Sequence, residues 1–425
     1  MSVESTTTVV VGDVAVIVVA SWLLGALARR CGQPSVIGHI IAGIALGPTL
    51  LGRLPGDLTE RLFPEQVLPF LSVLSQIAIV LFMFVAGYEI DFHRLRGGGR
   101  AAVSVALVAL LVPMGLGVGA VRLLHGTFAA VDPKHAGGGS FVPFMAVAVA
   151  ITALPVLAAI VRERDLAGTA AGTVATTAAG LMDVAAWLVL AAALAGTGHA
   201  PDRSWPVTLL LLVAYCAGVF LVVRPALAWW LGRAKALLVN RVPIALALAL
   251  GSAWVTASLG LHPVFGGLLA GLAMPRVNGM PDEEVLRPME QGAGLLLPLF
   301  FVTTGLSFNI GTMTGDAALL LGLILLVATA GKLAPAYVAA RLGGMAPRQS
   351  ALVAALVNTR GLTELIVLNV ALSAGIIGPE LFTVLVLMAL VTTLMTGPLL
   401  SLIGPERPPE RLPSKPRWTE LDIRS

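Results

Sequence analysis

The sequence is poor in charge. Of its 425 residues only 12% are Asp, Glu, Lys or Arg, whereas 57% are hydrophobic and the mean hydropathy is +0.92. A soluble domain carries about 25% charged residues. The shortage of charge therefore excludes an ordinary soluble protein and predicts an all-α protein that crosses the membrane many times.

Cysteines and the common catalytic signatures are also scarce. The two cysteines, Cys31 and Cys216, are too few for a disulfide framework or a metal site. The sequence contains no His/Cys cluster, phosphate-binding glycine loop or nucleophile elbow. The pI near 9.4 could suggest nucleic acid, but the basic residues lie in short connections between apolar stretches. We therefore predict a protein that is not an enzyme, needs no cofactor and binds neither nucleic acid nor nucleotide.

The apolar stretches have the length of membrane spans, since a bilayer core takes about 20 residues per helix. Thirteen candidate spans lie at residues 9–28, 35–51, 67–90, 101–121, 141–161, 169–196, 206–223, 242–260, 262–275, 292–308, 316–340, 350–373 and 380–403. The first has no basic residue before it and two arginines after it. It is therefore expected to be a transmembrane helix with its N-terminus outside, not a signal peptide.

The distribution of basic residues predicts the topology. With the N-terminus outside, the inner connections carry most of the Lys and Arg residues, so the positive-inside rule places the C-terminus in the cytoplasm. The expected location is the plasma membrane, with the lipid bilayer as the surroundings. Residues 1–404 are predicted to form one transmembrane domain. Residues 405–425, rich in proline and charge, are predicted to form a short disordered cytoplasmic tail.

Spans 2–6 and 9–13 could form two five-helix halves of opposite orientation. Inverted repeats with broken helices at the membrane midplane are the architecture of many secondary transporters. In span 5, Pro155 has no amide hydrogen, so the carbonyl of Ile151 loses its helical partner beside Thr152. This predicts a broken helix, although a simple proline kink is the alternative.

Span 12 contains a second predicted interruption. Gly361 weakens the helix, and Asn358 and Thr359 offer polar groups beside the gap. Arg360 and Glu364 are four residues apart, so they share a helix face and can pair. Two interrupted helices in matching positions of the two halves point to a transport site. A purely structural Arg360–Glu364 ion pair is the alternative.

Two further charged residues lie deep in apolar stretches. Asp183 lies in the otherwise uncharged stretch 169–196, where a carboxylate is costly without a partner or a task. Removal from water favours its protonated form, so it could hold a proton at one moment and a monovalent cation at another. Lys332 could pair with Asp183 when no cation is bound, or stabilise the fold from a neighbouring position. We predict an ion- and proton-binding site of Asp183, Thr152 and Lys332, with no metal beyond the transported cation.

Several motifs in order along the chain carry a resemblance to a known family. They are Gln33–Gly38 with Gly47-Pro48, Phe84–Asp91, Thr152–Val156, Met182–Trp187, Leu297–Phe301 and, most specific, Asn358–Asn369. On these motifs the chain resembles the monovalent cation:proton antiporter-2 family, closest to bacterial members and plant cation/proton exchangers. The motifs cover nearly the whole membrane part.

The resemblance implies a dimerisation domain and a core domain with two crossed, broken helices. It implies a homodimer, alternating access by movement of the core, Asp183 as the ion-binding carboxylate and Lys332 as the core lysine. The expected function is antiport of protons against Na+ or K+. The sequence departs from the family at Met182, where many relatives have Asn, Asp or Gln, so we expect electroneutral exchange through one carboxylate. It also ends without the regulatory domain that several relatives carry.

Other classes of membrane protein are weaker hypotheses. The main alternative is an inverted-repeat transporter of an organic anion, which would bind at the positive ends of the broken helices and at Arg360. A membrane sensor would need a signalling domain, and a channel would need a filter-like loop, neither of which is visible in the sequence. An anion carrier does not need a lone carboxylate at the midplane, so Asp183 favours the antiporter.

Overall fold

The computed structural model describes residues 3–404, apart from residues 32, 57, 90–98, 138, 167, 196–204, 234–239, 260–261 and 278. In this part of the chain all regular structure is helical, with one isolated β-bridge between Val277 and Met280. The predicted all-α fold is confirmed. The predicted tail, residues 405–425, lies outside the described residues.

The helices of the first half run from α1 to α11. They are α1 (Val3–Arg30), α2 (Ser35–Leu46), α3 (Leu58–Leu62), α4 (Leu68–Glu89), α5 (Gly99–Leu123), α6 (His125–Val131), α7 (Phe141–Ala150), α8 (Leu154–Glu163), α9 (Ala170–Ala195), α10 (Trp205–Gly218) and α11 (Arg224–Arg233). A short 3₁₀ turn, Leu51–Arg53, follows α2, and a π-helical segment, Val219–Val223, joins α10 to α11.

The helices of the second half follow in the same manner. They are α12 (Val242–Ser258), α13 (Pro263–Ala273), α14 (Glu283–Leu306), α15 (Gly315–Leu342), α16 (Pro347–Val357), α17 (Leu362–Ser373) and α18 (Pro379–Ile403). A 3₁₀ turn, Ile310–Thr312, lies between α14 and α15.

Ten helical stretches of the described chain are long and apolar enough to cross a membrane. Two of them, Phe141–Glu163 and Pro347–Ser373, each contain a pair of half-helices. The shorter apolar helices α12 and α13 coincide with predicted spans 8 and 9, and α14 covers span 10. The protein is thus a multi-pass membrane protein, while thirteen crossings and the orientation of the termini stay predictions.

Two groups of helices organise the bundle. The first, here called the core bundle, comprises α5, α7–α9 and α15–α18, whose buried side chains form the largest apolar cluster. The second, here called the panel, comprises α1, α2, α4 and α12–α14. In the panel α4 packs against α13 and α14, and α2 packs against α1 and α14. The two broken helices both belong to the core bundle.

Glycines allow very close backbone contact in the panel. A Cβ atom on Gly305 of α14 would lie 2.1 Å from the carbonyl carbon of Gly43 in α2. A Cβ atom on Gly271 of α13 would lie 2.0 Å from the carbonyl oxygen of Phe84 in α4. Small residues at helix contacts let backbones approach in this way, as they do in membrane helix pairs. The panel is therefore a tightly packed layer.

The packing of helices repeats between the two halves. α5 packs against α7 as α15 packs against α16, and α9 packs against α5 as α18 packs against α15. Similarly, α9 packs against α8 as α18 packs against α17. Each broken helix thus has the same set of neighbours in its own half. The predicted inverted repeat accounts for this correspondence.

Candidate functional site

The first broken helix is interrupted for three residues. α7 ends at Ala150, Ile151 and Ala153 have extended backbone angles, and α8 begins at Leu154. Pro155 lies in the first turn of α8, where a missing amide hydrogen costs nothing because the first turn has no helical acceptor for it. The structure therefore shows a true interruption at the position of Thr152, which is fully buried.

The second interruption lies between α16, which ends at Val357, and α17, which begins at Leu362. Gly361 has φ of 140° and ψ of −119°, a conformation that essentially only glycine adopts. A Cβ atom there would also lie 3.0 Å from Cγ2 of Val156 in α8. Glycine is thus needed for the backbone of this break and for its contact with the other broken helix.

The two breaks hydrogen-bond to each other at the point where they cross. Oγ1 of Thr152 donates to the carbonyl of Val357 at 3.0 Å, and the amide of Ala153 donates to the carbonyl of Thr359 at 3.1 Å. Irregular backbone at membrane depth is tolerated where protein groups satisfy it. Hydrogen-bond donors of the first interruption therefore satisfy backbone carbonyls at the second interruption.

Two cations cover the carbonyl end of α7, residues 148–151. Nζ of Lys332 donates hydrogen bonds to the carbonyls of Ala150 and Ile151, with a distance of 2.8 Å to Ile151. The guanidinium of Arg360 donates hydrogen bonds to the carbonyls of Ala148 and Val149, with a distance of 2.7 Å to Ala148. The C-terminal end of a helix carries a partial negative charge, so both cations stabilise the interrupted helix.

The structure shows where Lys332 lies relative to the two positions expected for it. Among the ion pairs of the described residues there is none between Lys332 and Asp183. Lys332 is fully buried and bonded to the carbonyls of the break instead. In this structure it therefore stabilises the crossing from a position next to Asp183 and leaves the carboxylate free of a salt bridge.

Asp183 lies at the other side of the first interruption. It is 7% exposed, and the backbone amide of Leu154, the first residue of α8, lies near its carboxylate. The positive end of α8 favours a negative charge at this place. Oδ1 of Asp183 is buried and has no hydrogen-bond partner. One oxygen of the buried carboxylate is thus available to a proton or a cation.

Met182 fills the position beside Asp183 with a sulfur atom. Its Sδ lies 3.9 Å from Oγ1 of Thr152, and the residue is 1% exposed. A thioether is only a weak acceptor. The sequence departure at Met182 therefore leaves Thr152 and Asp183 without a strong polar neighbour at this position.

Arg360 and Glu364 lie together, as their spacing predicted. Nη1 of Arg360 is 3.1 Å from Oε1 of Glu364, and both side chains are fully buried. The same Nη1 also donates to the carbonyl of Ala148, whereas Oε2 of Glu364 and Nε of Arg360 have no partner. The ion pair is thus formed through Nη1 of Arg360 alone, and this nitrogen also binds the carbonyl end of α7.

A further intramembrane carboxylate, Asp13, was missed by sequence reasoning. It lies in α1, is 3% exposed, and its Oδ2 has no partner. α1 packs chiefly against α2 and α14 of the panel. The available signal was simple, since Asp13 is a charged residue within the apolar stretch 9–28.

Comparison with known proteins decides the family. The sequence model of the family described as sodium/hydrogen exchanger, transmembrane, matches residues 14–404. The chain belongs to the sodium/hydrogen exchanger family. This sodium/hydrogen exchanger domain covers nearly the whole of the described chain, so the resemblance to cation/proton antiporters is confirmed.

Two relatives illustrate the match. The exchanger is 34% identical over 405 residues to the Na(+)/H(+) antiporter NhaS4 of Synechocystis, covering 94% of this chain and 98% of that one. It is 34% identical over 397 residues to Cation/H(+) antiporter 20 of Arabidopsis thaliana, covering 90% of this chain. The exchanger spans 47% of the length of this plant relative.

A solved structure shows the same fold. The sodium proton antiporter MjNhaP1 of Methanocaldococcus jannaschii at pH 8 superposes with a TM-score of 0.65, over 93% of this chain and 96% of that one. The two are 13% identical in sequence. The exchanger therefore shares the fold of this antiporter despite little sequence identity.

Proposed function

We propose that this exchanger carries protons in one direction and Na+ or K+ in the other by alternating access, with Asp183 as the shared binding group. The observation that carries the proposal is the state of its carboxylate, buried beside two interrupted helices with Oδ1 unpartnered. A proton and a monovalent cation can each neutralise this group. Binding of either one excludes the other, which is the condition for exchange.

The neighbours of Asp183 have separate tasks in this proposal. Thr152 holds the two breaks together through Val357, and its oxygen lies 3.9 Å from Sδ of Met182, the residue before Asp183. Lys332 and Arg360 hold the carbonyl end of α7. These groups keep the crossing rigid while the ligand on Asp183 changes.

The proposal of cation transport agrees with the relatives, which are named as antiporters of Na+ or of cations against protons. An organic anion transporter is not favoured. It would need Arg360 as an anion site, but this guanidinium is bonded to two carbonyls of α7 and to Glu364. We therefore assign monovalent cations and protons as the substrates.

The remaining sequence expectations are part of the proposal. We propose that residues 1–404 form the transport domain and that the protein is a homodimer. We place it in the plasma membrane, with its N-terminus outside and its C-terminal residues in the cytoplasm. Deletion of residues 406–425 is proposed to leave transport intact.

The test is a proton-flux assay in proteoliposomes with an imposed pH gradient, adding Na+, K+ or an organic anion in turn. We expect Na+ or K+ to dissipate the gradient and organic anions to have no effect. Asp183→Asn should abolish the flux without preventing folding, because asparagine keeps the shape but neither releases a proton nor carries a negative charge.

Asp13→Asn is the matched control, since Asp13 is also a buried carboxylate with an unpartnered oxygen but lies in the panel. This variant should retain exchange. Normal cation-dependent proton movement by folded Asp183→Asn would contradict the role of Asp183. Dissipation by an organic anion alone would contradict the choice of substrate.

A further inference from the structure

Asn358 carries an unpaired amide inside the core bundle. The residue is fully buried, and neither Oδ1 nor Nδ2 of its side chain has a hydrogen-bond partner. Burying an amide without hydrogen bonds costs free energy, and buried polar groups in proteins are nearly always paired. Its burial at the second interruption, with both ends unpaired, indicates a ligand at this side chain.

Asn358 lies directly across the crossing from the segment that holds Asp183. Its two chain neighbours, Val357 and Thr359, accept hydrogen bonds from Thr152 and Ala153. The next residue after Ala153 is Leu154, whose backbone amide lies near the Asp183 carboxylate. In addition, α16, which ends next to Asn358, packs against α9, the helix of Asp183. The unpaired amide and the unpaired carboxylate oxygen thus belong to facing elements of one crossing.

The electrostatics of the two helix ends differ at this crossing. Asn358 caps the C-terminal end of α16, which carries a partial negative charge. Lys332 and Arg360 cover the corresponding end of α7. In the described residues, the recorded partners of the α16 end are backbone amides and the Thr152 hydroxyl, with no cationic side chain among them. The carbonyl end of α16 therefore keeps its partial negative charge with no cationic side chain among its hydrogen-bond partners in the described residues.

We propose that the side-chain oxygen of Asn358 is a ligand of the transported monovalent cation, on the opposite side of the crossing from Asp183. This rests on the proposed function of the exchanger. Na+ and K+ in proteins are held by oxygen atoms that replace their water shell. The sulfur of Met182 is a poor substitute for such an oxygen, and Asn358 supplies the neutral oxygen that the position beside Asp183 lacks.

The experiment compares two substitutions of nearly equal size. Asn358→Leu removes the oxygen and Asn358→Asp retains one. Proton flux in proteoliposomes is measured as a function of Na+ and K+ concentration, and thermal unfolding in detergent is measured with and without the cation. The half-saturating cation concentration should rise about tenfold or more in Asn358→Leu and change much less in Asn358→Asp, as expected on loss of a ligating oxygen.

The stability readout separates a ligand from a structural residue. Because the amide is unpaired, the unfolding temperature of Asn358→Leu in cation-free buffer should be no lower than that of the unsubstituted protein. Addition of the cation should no longer raise the unfolding temperature of this variant. Asn369 is the matched control, since its amide donates to Thr304 and to the carbonyl of Leu365, both at 2.9 Å. Asn369→Leu should lose stability and keep its cation affinity.

The outcomes distinguish this inference from the proposed function. Unchanged cation affinity in Asn358→Leu, with an active unsubstituted protein, would overturn the assignment of Asn358 and leave the antiport proposal intact. An unsubstituted protein that moves no protons with any cation would overturn both. If Asn358→Leu does not fold, Asn358→Ala removes the same oxygen with a smaller side chain and is held to the same criterion.

Discussion

The buried basic side chains at the crossing form more hydrogen bonds with backbone carbonyls than with the buried carboxylates. Lys332 donates to two carbonyls, and Arg360 donates to two carbonyls in addition to Glu364. A buried cation without a partner is expensive, and a helix end with uncovered carbonyls is expensive as well. Placing the two together removes both costs and leaves Asp183 without a salt bridge.

Substitutions at Arg360 and Glu364 should have unequal effects. Arg360→Ala should lower the free energy of unfolding by about 3–5 kcal/mol, because it leaves a buried carboxylate unpaired. Removing both residues should cost less than Arg360→Ala alone. Glu364→Gln should be mildest, because Arg360 keeps the carbonyls of Ala148 and Val149.

Thermal unfolding of the three variants in detergent is the measurement. If the double variant is less stable than Arg360→Ala, the two residues are not energetically paired despite the 3.1 Å contact. If Glu364→Gln is as unstable as Arg360→Ala, the hydrogen bonds to the carbonyls of α7 are not sufficient to stabilise the guanidinium.

At the scale of elements, the two interruptions are built differently. The first depends on Pro155, which lies in the first turn of α8 after a three-residue gap, and the second depends on Gly361, whose backbone has positive φ. The first is closed by cations at the end of α7, whereas the second is closed by hydrogen bonds from Thr152 and Ala153. Basic side chains therefore bind the carbonyl end of α7, whereas no basic side chain is among the hydrogen-bond partners of the α16 end in the described residues.

Gly361→Ala should destabilise the protein and impair transport. A residue with a Cβ atom is strained at φ of 140°, which costs about 1–3 kcal/mol, and the atom would press on Val156. Gly322→Ala in α15 is the control, because a Cβ atom there meets nothing within 4 Å. Alanine in a helix interior should stabilise this control by about 0.5–1 kcal/mol.

Thermal unfolding and proton flux of both variants check this prediction. A Gly361→Ala variant as stable and active as Gly322→Ala would show that the second interruption does not need its glycine conformation.

At the scale of the whole molecule, the closest backbone packing between helices lies in the panel, and the proposed binding group lies in the core bundle. The panel is held by close glycine contacts, whereas both interruptions and Asp183 belong to the core bundle. Of the two carboxylates at the crossing, Asp183 is the one without a salt bridge in the described residues, since Glu364 pairs with Arg360. Exchange of one proton for one monovalent cation on that group leaves the charge of the loaded protein unchanged.

We therefore expect electroneutral exchange. An electrogenic carrier would gain or lose about 2.3 kcal/mol per net charge for each 100 mV across the membrane. The measurement is cation-driven proton flux in proteoliposomes, with the potential set by an ion that the protein does not carry. Flux that depends steeply on this potential, at fixed pH and cation gradients, would show that Lys332 or another group also exchanges a proton.

The sequence alone was sufficient for the fold class, the family and the positions of both interruptions. Composition and apolar length determine membrane insertion, and Pro155 and Gly361 act on their own backbone, so their effects can be predicted locally. The spacing of Arg360 and Glu364 predicted their contact, but Arg360 lies in the interruption before α17 and not on the same helix face as Glu364. Asp13 could have been found in the same way, from a charge in an apolar stretch.

The partners across the crossing were decided by the tertiary structure. From sequence, Lys332 could equally pair with Asp183 or stand beside it, and nothing local indicated that it would bind the carbonyls of Ala150 and Ile151. The unpaired amide of Asn358 was equally hidden. Such contacts join residues about 180 or more positions apart, as for Lys332 and Ile151. Helix packing, rather than local propensity, therefore determines which polar groups are satisfied and which remain open to an ion.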